Sequence, residues 1–169
     1  MGRFIPKIIQ HVEYAFDHLE PFRFAVNGHV VEVHFSLHCF TETAATDHTP
    51  DLLIGHQGEI RAFSLERYML SKQLPGLIRS LPGASVYYSQ QFNYFFVRQL
   101  LEIAGPYVVF FTMAKAKRRE VDTLMHVRSA YCKPQVVDRA APVRFATLVE
   151  ATALGRPIKR GPFMTIKRK

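Results

Sequence analysis

The sequence predicts an α+β fold, in which one antiparallel sheet of about five strands has helices packed on one side. Apolar residues at helical spacing occur near both ends of the chain and in its middle. Between them lie segments that alternate apolar and polar residues and are joined by turn residues, as antiparallel strands are. With 169 residues, 48% of them hydrophobic, the chain is long enough to bury the core of one domain.

The first predicted element is an N-terminal helix over residues 5–19. Apolar residues there recur three or four positions apart and would form one stripe of a helix. The stripe consists of Ile5, Ile8, Ile9, Val12, Phe16 and Leu19. Pro21 favours an end to this helix, because a proline ring disfavours a helical conformation in the residue before it.

A β-hairpin is predicted next, from the sequence FRFAV-NG-HVVEVHF. An Asn-Gly pair between two alternating runs is the strongest short hairpin signal, since both turn positions need a positive φ. The two strands are predicted at about 21–26 and 29–38. Alternation gives the second strand a core face and a polar face. The core face is Val31, Val33, Phe35, Leu37 and Cys39, and the polar face is Glu32, His34, Ser36 and His38.

Residues 41–60 are small, polar and rich in Gly and Pro, which predicts a long connection with a short element around Leu52–Ile54. A central helix pair follows at about 64–74 and 76–81. Ser64 is the predicted N-cap of the first helix, because its hydroxyl can accept a hydrogen bond from the first turn. Pro-Gly pairs break both helices.

The second half of the chain predicts the rest of the sheet. Segments rich in β-branched and aromatic residues predict strands at 85–89, 93–101, 106–116 and 123–131. A C-terminal helix is predicted at 143–154, with Gly155 as its stop signal. Residues 1–155 are therefore expected to form a single α+β domain, and residues 156–169 a flexible basic tail.

The charge of the chain favours a polyanionic partner. The net charge is +8, and binding to phosphates is driven by the release of condensed counterions. The alternative is a basic protein whose charge only aids solubility. The predicted nucleic-acid-binding residues are Arg67, Lys115, Lys117, Arg118, Arg119, Arg156, Lys159 and Arg160.

The polar face of the second hairpin strand is the first candidate for catalysis. On one strand, the imidazoles of His34 and His38 would point the same way, because alternate residues of a strand share a face. Histidine titrates near neutral pH, so one ring could deprotonate a ribose 2′-hydroxyl while the other protonates the leaving oxygen. The alternative is a solvated sheet face that happens to contain histidines.

The same region also raises the question of zinc. A structural zinc site needs four ligands, and five residues are candidates: His29, His34, His38, His48 and Cys39. However, Cys39 faces away from His38 on an ideal strand, and no Cys-x-x-Cys pair or His-x-x-x-His helix is present. We therefore predict no metal site.

The segment MHVRSAYCK is the second candidate for catalysis. Alternation places Val127, Ser129 and Tyr131 on one face of the last predicted strand and His126 and Arg128 on the other. A guanidinium and a phenol at a strand end are suited to holding a phosphodiester and stabilising its transition-state charge. The alternative is that these residues serve packing alone.

Other classes of function lack their sequence signals. There is no glycine-rich dinucleotide or phosphate loop, no Gly-x-Ser-x-Gly elbow and no carboxylate cluster for two metals, so no cofactor is predicted.

No apolar run approaches the roughly 20 residues of a membrane span, and no signal-peptide core is visible. The two cysteines, Cys39 and Cys132, indicate thiols in a reducing compartment, and the expected location is the cytoplasm.

Several phrases of the sequence resemble a family of small proteobacterial proteins that are often found on phages and mobile elements, some labelled stationary phase growth adaptation protein. The phrases are FSLHCFTE, FSLERYMLSKQLPGLIRSL, NYFFVRQL and VVFFTMAKAKRREVDTLMHVRSAY, within about residues 33–132. In addition, HVRSAY is similar to a strand-ending element of the barnase–EndoU–colicin–RelE group of metal-independent ribonucleases. That second resemblance implies N-terminal helices before an antiparallel sheet, and roles in RNA cleavage for Arg128, Ser129 and Tyr131.

The resulting hypothesis is an RNA-directed protein that acts as a metal-independent endoribonuclease of toxin type. His34 or His38 would be the general acid or base, and Arg128 and Arg67 would bind phosphate. Ser129 and Tyr131 would orient the substrate or protonate its leaving group. The alternative is a non-catalytic regulator from a mobile element that binds nucleic acid or a protein. Expected partners are RNA in preference to DNA and a protein such as an antitoxin, with no cofactor, metal or membrane.

Overall fold

The computed structural model describes residues 4–89, 93–101, 103, 105–133, 139–159, 161 and 163–164. The strands are β1 (Lys7–Ile9), β2 (Val12–Tyr14), β3 (Phe22–Val26), β4 (His29–Phe35), β5 (Thr41–Thr43), β6 (Leu53–His56), β7 (Glu59–Phe63), β8 (Ser85–Tyr88), β9 (Tyr94–Gln99), β10 (Pro106–Lys115), β11 (Thr123–Cys132), β12 (Arg139–Ala140), β13 (Val143–Arg144) and β14 (Phe163–Met164). The α-helices are α1 (Leu65–Ser71), α2 (Leu74–Arg79) and α3 (Phe145–Ala153). Single 3₁₀ turns lie at Asp17–Leu19, Leu37–Cys39, Pro50–Leu52 and Leu81–Gly83.

The main sheet has seven strands in the order β13-β8-β9-β10-β11-β4-β3, and it is mixed. All neighbours are antiparallel except β4 and β11, which run parallel. Three small sheets accompany it: β1-β2, β12-β14 and β5-β7-β6. The predicted fold class, a five-stranded antiparallel sheet with four helices on one side, is therefore wrong. Local sequence patterns give no information about which distant strands become neighbours, and β4 and β11 are about ninety residues apart.

The predicted N-terminal helix is also wrong, because residues 5–19 form the β1–β2 hairpin and a 3₁₀ turn. Gln10 and His11 make the hairpin turn with φ values of 48° and 66°, the left-handed conformation of a tight two-residue turn. A helix would have buried Ile8 and Val12 in its apolar stripe. In the hairpin they are 63% and 51% exposed, so the helical spacing of apolar residues does not reflect a buried face.

The β3–β4 hairpin is confirmed. Asn27 and Gly28 form its turn with φ values of 48° and 81°, which only a residue pair tolerant of the left-handed region adopts readily. β4 ends at Phe35, however, three residues earlier than predicted. The chain then enters the 3₁₀ turn Leu37–Cys39, so His38 does not continue the polar face of the strand.

The helices form where the sequence predicts a central pair and a C-terminal helix. The hydroxyl of Ser64 accepts a hydrogen bond from the backbone N–H of Arg67, which makes Ser64 the N-cap of α1 as expected. α3 packs against the sheet through Phe145, whose ring lies 6.1 Å from that of Phe111 on β10 and 6.3 Å from that of Phe24 on β3. These rings belong to one large core on this face of the sheet.

No helix within the described ranges has the length and apolar character needed to cross a membrane. The start of the predicted basic tail, from Arg156 to Lys159, is described, whereas Arg160 and residues 165–169 lie outside the described residues.

Candidate functional site

A polar cavity of about 190 Å³ opens beside the end of β4. Three segments that are far apart in sequence form its wall: the turn after β4, the β6–β7 turn and β11. Its polar lining consists of Ser36, His38, His56, Gln57, Glu59, His126 and Arg128. The cavity therefore unites His38 and Arg128, two of the five predicted catalytic residues.

A β-bulge in β11 orients the residues on its side of the cavity. Phe111 of β10 pairs with Val127 and Phe110 pairs with Ser129, which leaves Arg128 without a partner on β10. One extra residue reverses the alternation of the strand beyond it. Val127 and Ala130 are consequently both buried on the core face. Ser129 thus shares a face with His126 rather than with Val127, and the predicted assignment of faces beyond the bulge is corrected.

His38 is held by two hydrogen bonds at the cavity. Its backbone N–H donates to the hydroxyl of Ser36 at 3.2 Å, which fixes the 3₁₀ turn. Its ring Nε2 lies 3.0 Å from Oε2 of Glu59. This hydrogen bond is the main reason that the pKa of Glu59 is lowered, and Arg61 contributes a second one. An ionised Glu59 accepts a hydrogen bond from the Nε2–H group of His38 and leaves Nδ1 available for proton transfer.

His126 is the second histidine of the cavity, and its environment favours the neutral ring. Burial lowers the pKa of His126, and the positive charge of Arg128 and the proximity of His34 lower it further. A neutral imidazole close to an arginine has the two properties that general-base catalysis on a phosphodiester needs, a proton acceptor and an adjacent anion-binding group.

His34 lies next to this cavity without lining it. Its Nε2 donates to Oε1 of Glu32 at 2.7 Å. Glu32 also accepts hydrogen bonds from Arg23, at 2.8 Å, and from Arg118. Burial alone would raise the pKa of Glu32, but the hydrogen bonds from His34, Arg23 and Arg118 lower it to about 2. The predicted pairing of His34 with His38 on one strand face is therefore corrected, because each ring has its own carboxylate partner.

Arg67 and Tyr131 meet away from the cavity. Nη1 of Arg67 donates to the backbone carbonyl oxygens of Thr41, at 2.7 Å, and of His38, at 3.5 Å. Its guanidinium lies 4.8 Å from the centre of the Tyr131 ring, which stacks on Phe110. Arg67 thus connects the turn that carries His38 to the end of β11. Neither Ser129 nor Tyr131 lines the cavity, so these two predicted catalytic residues do not share it with His38 and Arg128.

The predicted basic residues form an exposed group near one end of the sheet. Lys115, Lys117 and Arg119 are exposed on and after β10, and Arg156 and Lys159 are exposed after α3. The two parts approach each other, since a Cβ atom added at Gly155 would lie 3.9 Å from Nζ of Lys115. Arg118 differs from the others because it forms an ion pair with Glu32. The predicted contact Arg160 lies outside the described residues.

The residues weighed as zinc ligands do not converge. Burial raises the pKa of the Cys39 thiol to about 12, and Sγ points to the carbonyl oxygen of Val127 at 3.9 Å. His48 lies 3.2 Å from the carboxylate of Glu42, and His34 and His38 are bound to other carboxylates. Over the part of the chain that the structure describes, no three His, Cys, Asp or Glu side chains are grouped so as to hold a metal ion.

Sequence reasoning missed three titratable residues of the cavity: His56, Glu59 and His126. His56 and Glu59 belong to the segment read as a long connection, which instead forms most of the sheet β5-β7-β6. The sequence HQGE does carry a turn signal that could have located them, since Gln57 and Gly58 adopt φ values of 51° and 83°. His126 was placed on the face opposite Ser129 because the bulge was not foreseen.

The fold and the site together describe a mixed α/β protein with a histidine-lined cavity beside the end of β4. Residues 6–153 match the YjaZ family, so the chain belongs to this family, and the match extends from β1 to the end of α3. No curated protein and no solved structure matches the chain.

Proposed function

We propose that this protein cleaves single-stranded RNA in the polar cavity, through attack of a ribose 2′-hydroxyl on the adjacent phosphorus. The observation that carries the proposal is the convergence of His38, His126 and Arg128 on one cavity. Two imidazoles and one guanidinium supply the proton acceptor, the proton donor and the phosphate ligand that this reaction requires.

The reaction assigns one step to each group. His126 removes the proton of the 2′-hydroxyl, the 2′-oxygen bonds to phosphorus, and the bond from phosphorus to the 5′-oxygen breaks. His38, oriented by Glu59, gives a proton to the leaving 5′-oxygen. Arg128 neutralises the charge that develops on the non-bridging oxygens. The products are a 2′,3′-cyclic phosphate and a 5′-hydroxyl. No oxidant or reductant takes part in the reaction.

The experiment uses the purified full-length chain and an end-labelled single-stranded RNA. His38→Asn, His126→Asn and Arg128→Gln are each expected to slow cleavage by about 10²- to 10⁴-fold. His48→Asn is the matched control, because His48 is also bound to a carboxylate but lies outside the cavity. Its rate should stay within about twofold of the wild-type rate, since it contributes no catalytic group. Intact RNA, or cleavage that survives all three cavity substitutions, would contradict the proposal.

A second candidate function is an RNA-binding regulator without catalysis. It is supported by the exposed basic group formed by Lys115, Lys117, Arg119 and Arg156, whose charges are free to attract phosphates without any part of the cavity. The same experiment separates the two functions. A regulator would bind RNA in a salt-dependent way and retain that binding in His38→Asn and His126→Asn, with no cleavage by the wild-type chain.

A further inference from the structure

A second cleft, of about 250 Å³, lies between the N-terminal segment and β6. Its lining is mainly aromatic and aliphatic, with Phe4, Phe16 and Phe40 contributing rings. Two charged or titratable side chains, Lys7 and His56, stand at its wall. An apolar cleft with a few polar groups is the usual form of a site for a small organic group.

His56 connects this cleft with the polar cavity, because this residue lines both. On the cleft side, the ring centroid of His56 lies 5.6 Å from that of Phe4. On the cavity side, His56 ends β6, and the turn after it leads to Glu59, the partner of His38. If a phosphate of a bound RNA strand occupies the cavity, the neighbouring nucleoside of that strand would therefore lie beside the cleft.

From this adjacency we infer that the cleft binds one unstacked nucleobase of a single-stranded RNA. The inference rests on the proposed function, since it names the part of the substrate that lies next to the reacting phosphate. Single-stranded RNA is commonly bound by stacking splayed-out bases on aromatic side chains.

The aromatic wall of the cleft is fixed in place and partly open. Phe16 and Phe40 are 4% and 1% exposed, and their ring centroids are 4.3 Å apart. Phe4 packs edge-on against Phe40 at 5.0 Å and remains half-buried, so it faces both the core and the cleft. Ile5 is 84% exposed at the mouth. A flat ligand can be accommodated against Phe4 without displacing the buried rings.

Polar groups at the rim suit the edge of a base. β6 is the outer strand of the sheet β5-β7-β6, so its outward backbone groups are not used by another strand of that sheet. Nζ of Lys7 donates to the carbonyl oxygen of Leu53 at 2.8 Å and holds a positive charge at the rim. Backbone groups and a lysine can pair with base edges and with a phosphate, respectively.

The test measures binding of an all-2′-O-methyl oligonucleotide of eight residues, which lacks the attacking hydroxyl and cannot be cleaved. A series with one abasic position each is compared with the intact oligomer by fluorescence anisotropy. For the wild-type chain, one position is expected to weaken binding by roughly 5- to 100-fold when its base is removed. In Phe4→Leu this penalty should nearly disappear, because the substitution keeps the cleft apolar but removes the aromatic face.

A second variant guards against a folding defect in Phe4→Leu. Ile5→Asp places a carboxylate at the mouth of the cleft and should weaken binding of the intact oligomer at least fivefold, by repelling its phosphates. Ile8→Asp is the matched control, because Ile8 is exposed on β1, three residues after Ile5, but does not line the cleft. The inference is overturned if no abasic position weakens binding, or if Ile8→Asp and Ile5→Asp have the same effect.

The experiment distinguishes this inference from the proposed function. A chain that shows the base-dependent penalty but leaves cleavable RNA intact keeps the nucleobase site and loses the nuclease. A chain that cleaves RNA without any base-dependent penalty keeps the nuclease and loses the nucleobase site. A competing outcome is an apolar peptide side chain in the cleft: displacement of the oligomer by N-acetyl-phenylalanine amide but not by nucleosides would overturn the inference.

Discussion

His34 and His126 lie opposite each other on the neighbouring strands β4 and β11, which pair in parallel in the main sheet. Each ring has one buried nitrogen without a hydrogen-bond partner among the described residues, Nδ1 in His34 and Nε2 in His126. The other nitrogen of His34 is fixed by Glu32. His34 therefore lies between the Glu32 carboxylate, which is ionised near neutral pH, and His126 of the cavity, and it is placed to position His126 rather than to contact substrate.

The first prediction concerns His34→Asn. The charge of His34 contributes to lowering the pKa of His126, so its removal should raise that pKa and move the acidic limb of the cleavage rate to higher pH. The loss of rate should be greatest below pH 7, where protonated His126 cannot act as the general base. Rate–pH profiles of the variant and the wild-type chain check this. His29→Asn, on the same strand but next to Asp122, should leave the profile in place, and an unmoved profile in His34→Asn would contradict the positioning role.

The second prediction concerns the stability that Glu32 provides. Because the pKa of Glu32 is lowered to about 2, its contribution is fully present above the unfolded pKa near 4 and is lost as the pH falls towards 2. Glu32→Gln should reduce the free energy of unfolding at pH 7 by up to about 3 kcal/mol, and the difference should shrink between pH 5 and pH 2.

Urea denaturation at several pH values measures this effect. Glu120→Gln is the control, because Glu120 also meets Arg23 but is 83% exposed, and such ion pairs contribute little. Equal effects of Glu32→Gln and Glu120→Gln at pH 7 would show that the buried network does not stabilise the fold.

The third prediction separates two neighbouring arginines of the basic group. Arg119→Ala should weaken RNA binding and reduce the slope of log K against log salt by about 0.7, the loss of one phosphate contact with a single strand. Arg118→Ala should change that slope less, because Arg118 is engaged by Glu32, and should instead lower the unfolding midpoint. Binding titrations at four salt concentrations measure the slope for each variant, and a denaturation curve measures its unfolding midpoint. A larger slope change in Arg118→Ala than in Arg119→Ala would contradict the prediction.

The fourth prediction compares two glycines of opposite character. Gly28 needs its φ of 81° in the β3–β4 turn, so Gly28→Ala should destabilise the chain by about 1 kcal/mol. Gly76 lies inside α2 without a positive φ, and a Cβ there would meet no atom within 4 Å. Gly76→Ala should therefore stabilise by about 0.4–1 kcal/mol. Thermal unfolding of both variants gives the two signs, and a shift in the same direction would refute the comparison.

The features that the sequence predicts correctly depend on neighbouring residues. The Asn27-Gly28 turn and the Ser64 cap each follow from a few consecutive residues and their local hydrogen bonds. The β1–β2 hairpin was missed because its turn, Gln10-His11, contains no glycine, and because its apolar residues also fit a helix.

The candidate site depends on distant contacts, which explains why only part of it could be predicted. His38 and Arg128 were identified by residue type, but Glu59 reaches His38 only because β6 and β7 fold back as a hairpin beside the turn after β4. Arg67 was expected to bind phosphate, yet its half-buried guanidinium is turned towards backbone carbonyl oxygens. Charge and residue type do not reveal whether a cation already has a partner.

The bulge at Arg128 changes which residues of β11, odd-numbered or even-numbered, face the core. Before it, the odd-numbered residues Met125 and Val127 enter the core, and after it the even-numbered Ala130 does so. Without the bulge, a single alternation would continue along the whole strand and exchange the inner and outer positions of every residue after Arg128. Ser129 and Tyr131 would then be directed into the core, so one unpaired residue, as much as composition, determines which side chains this strand presents on its outer face.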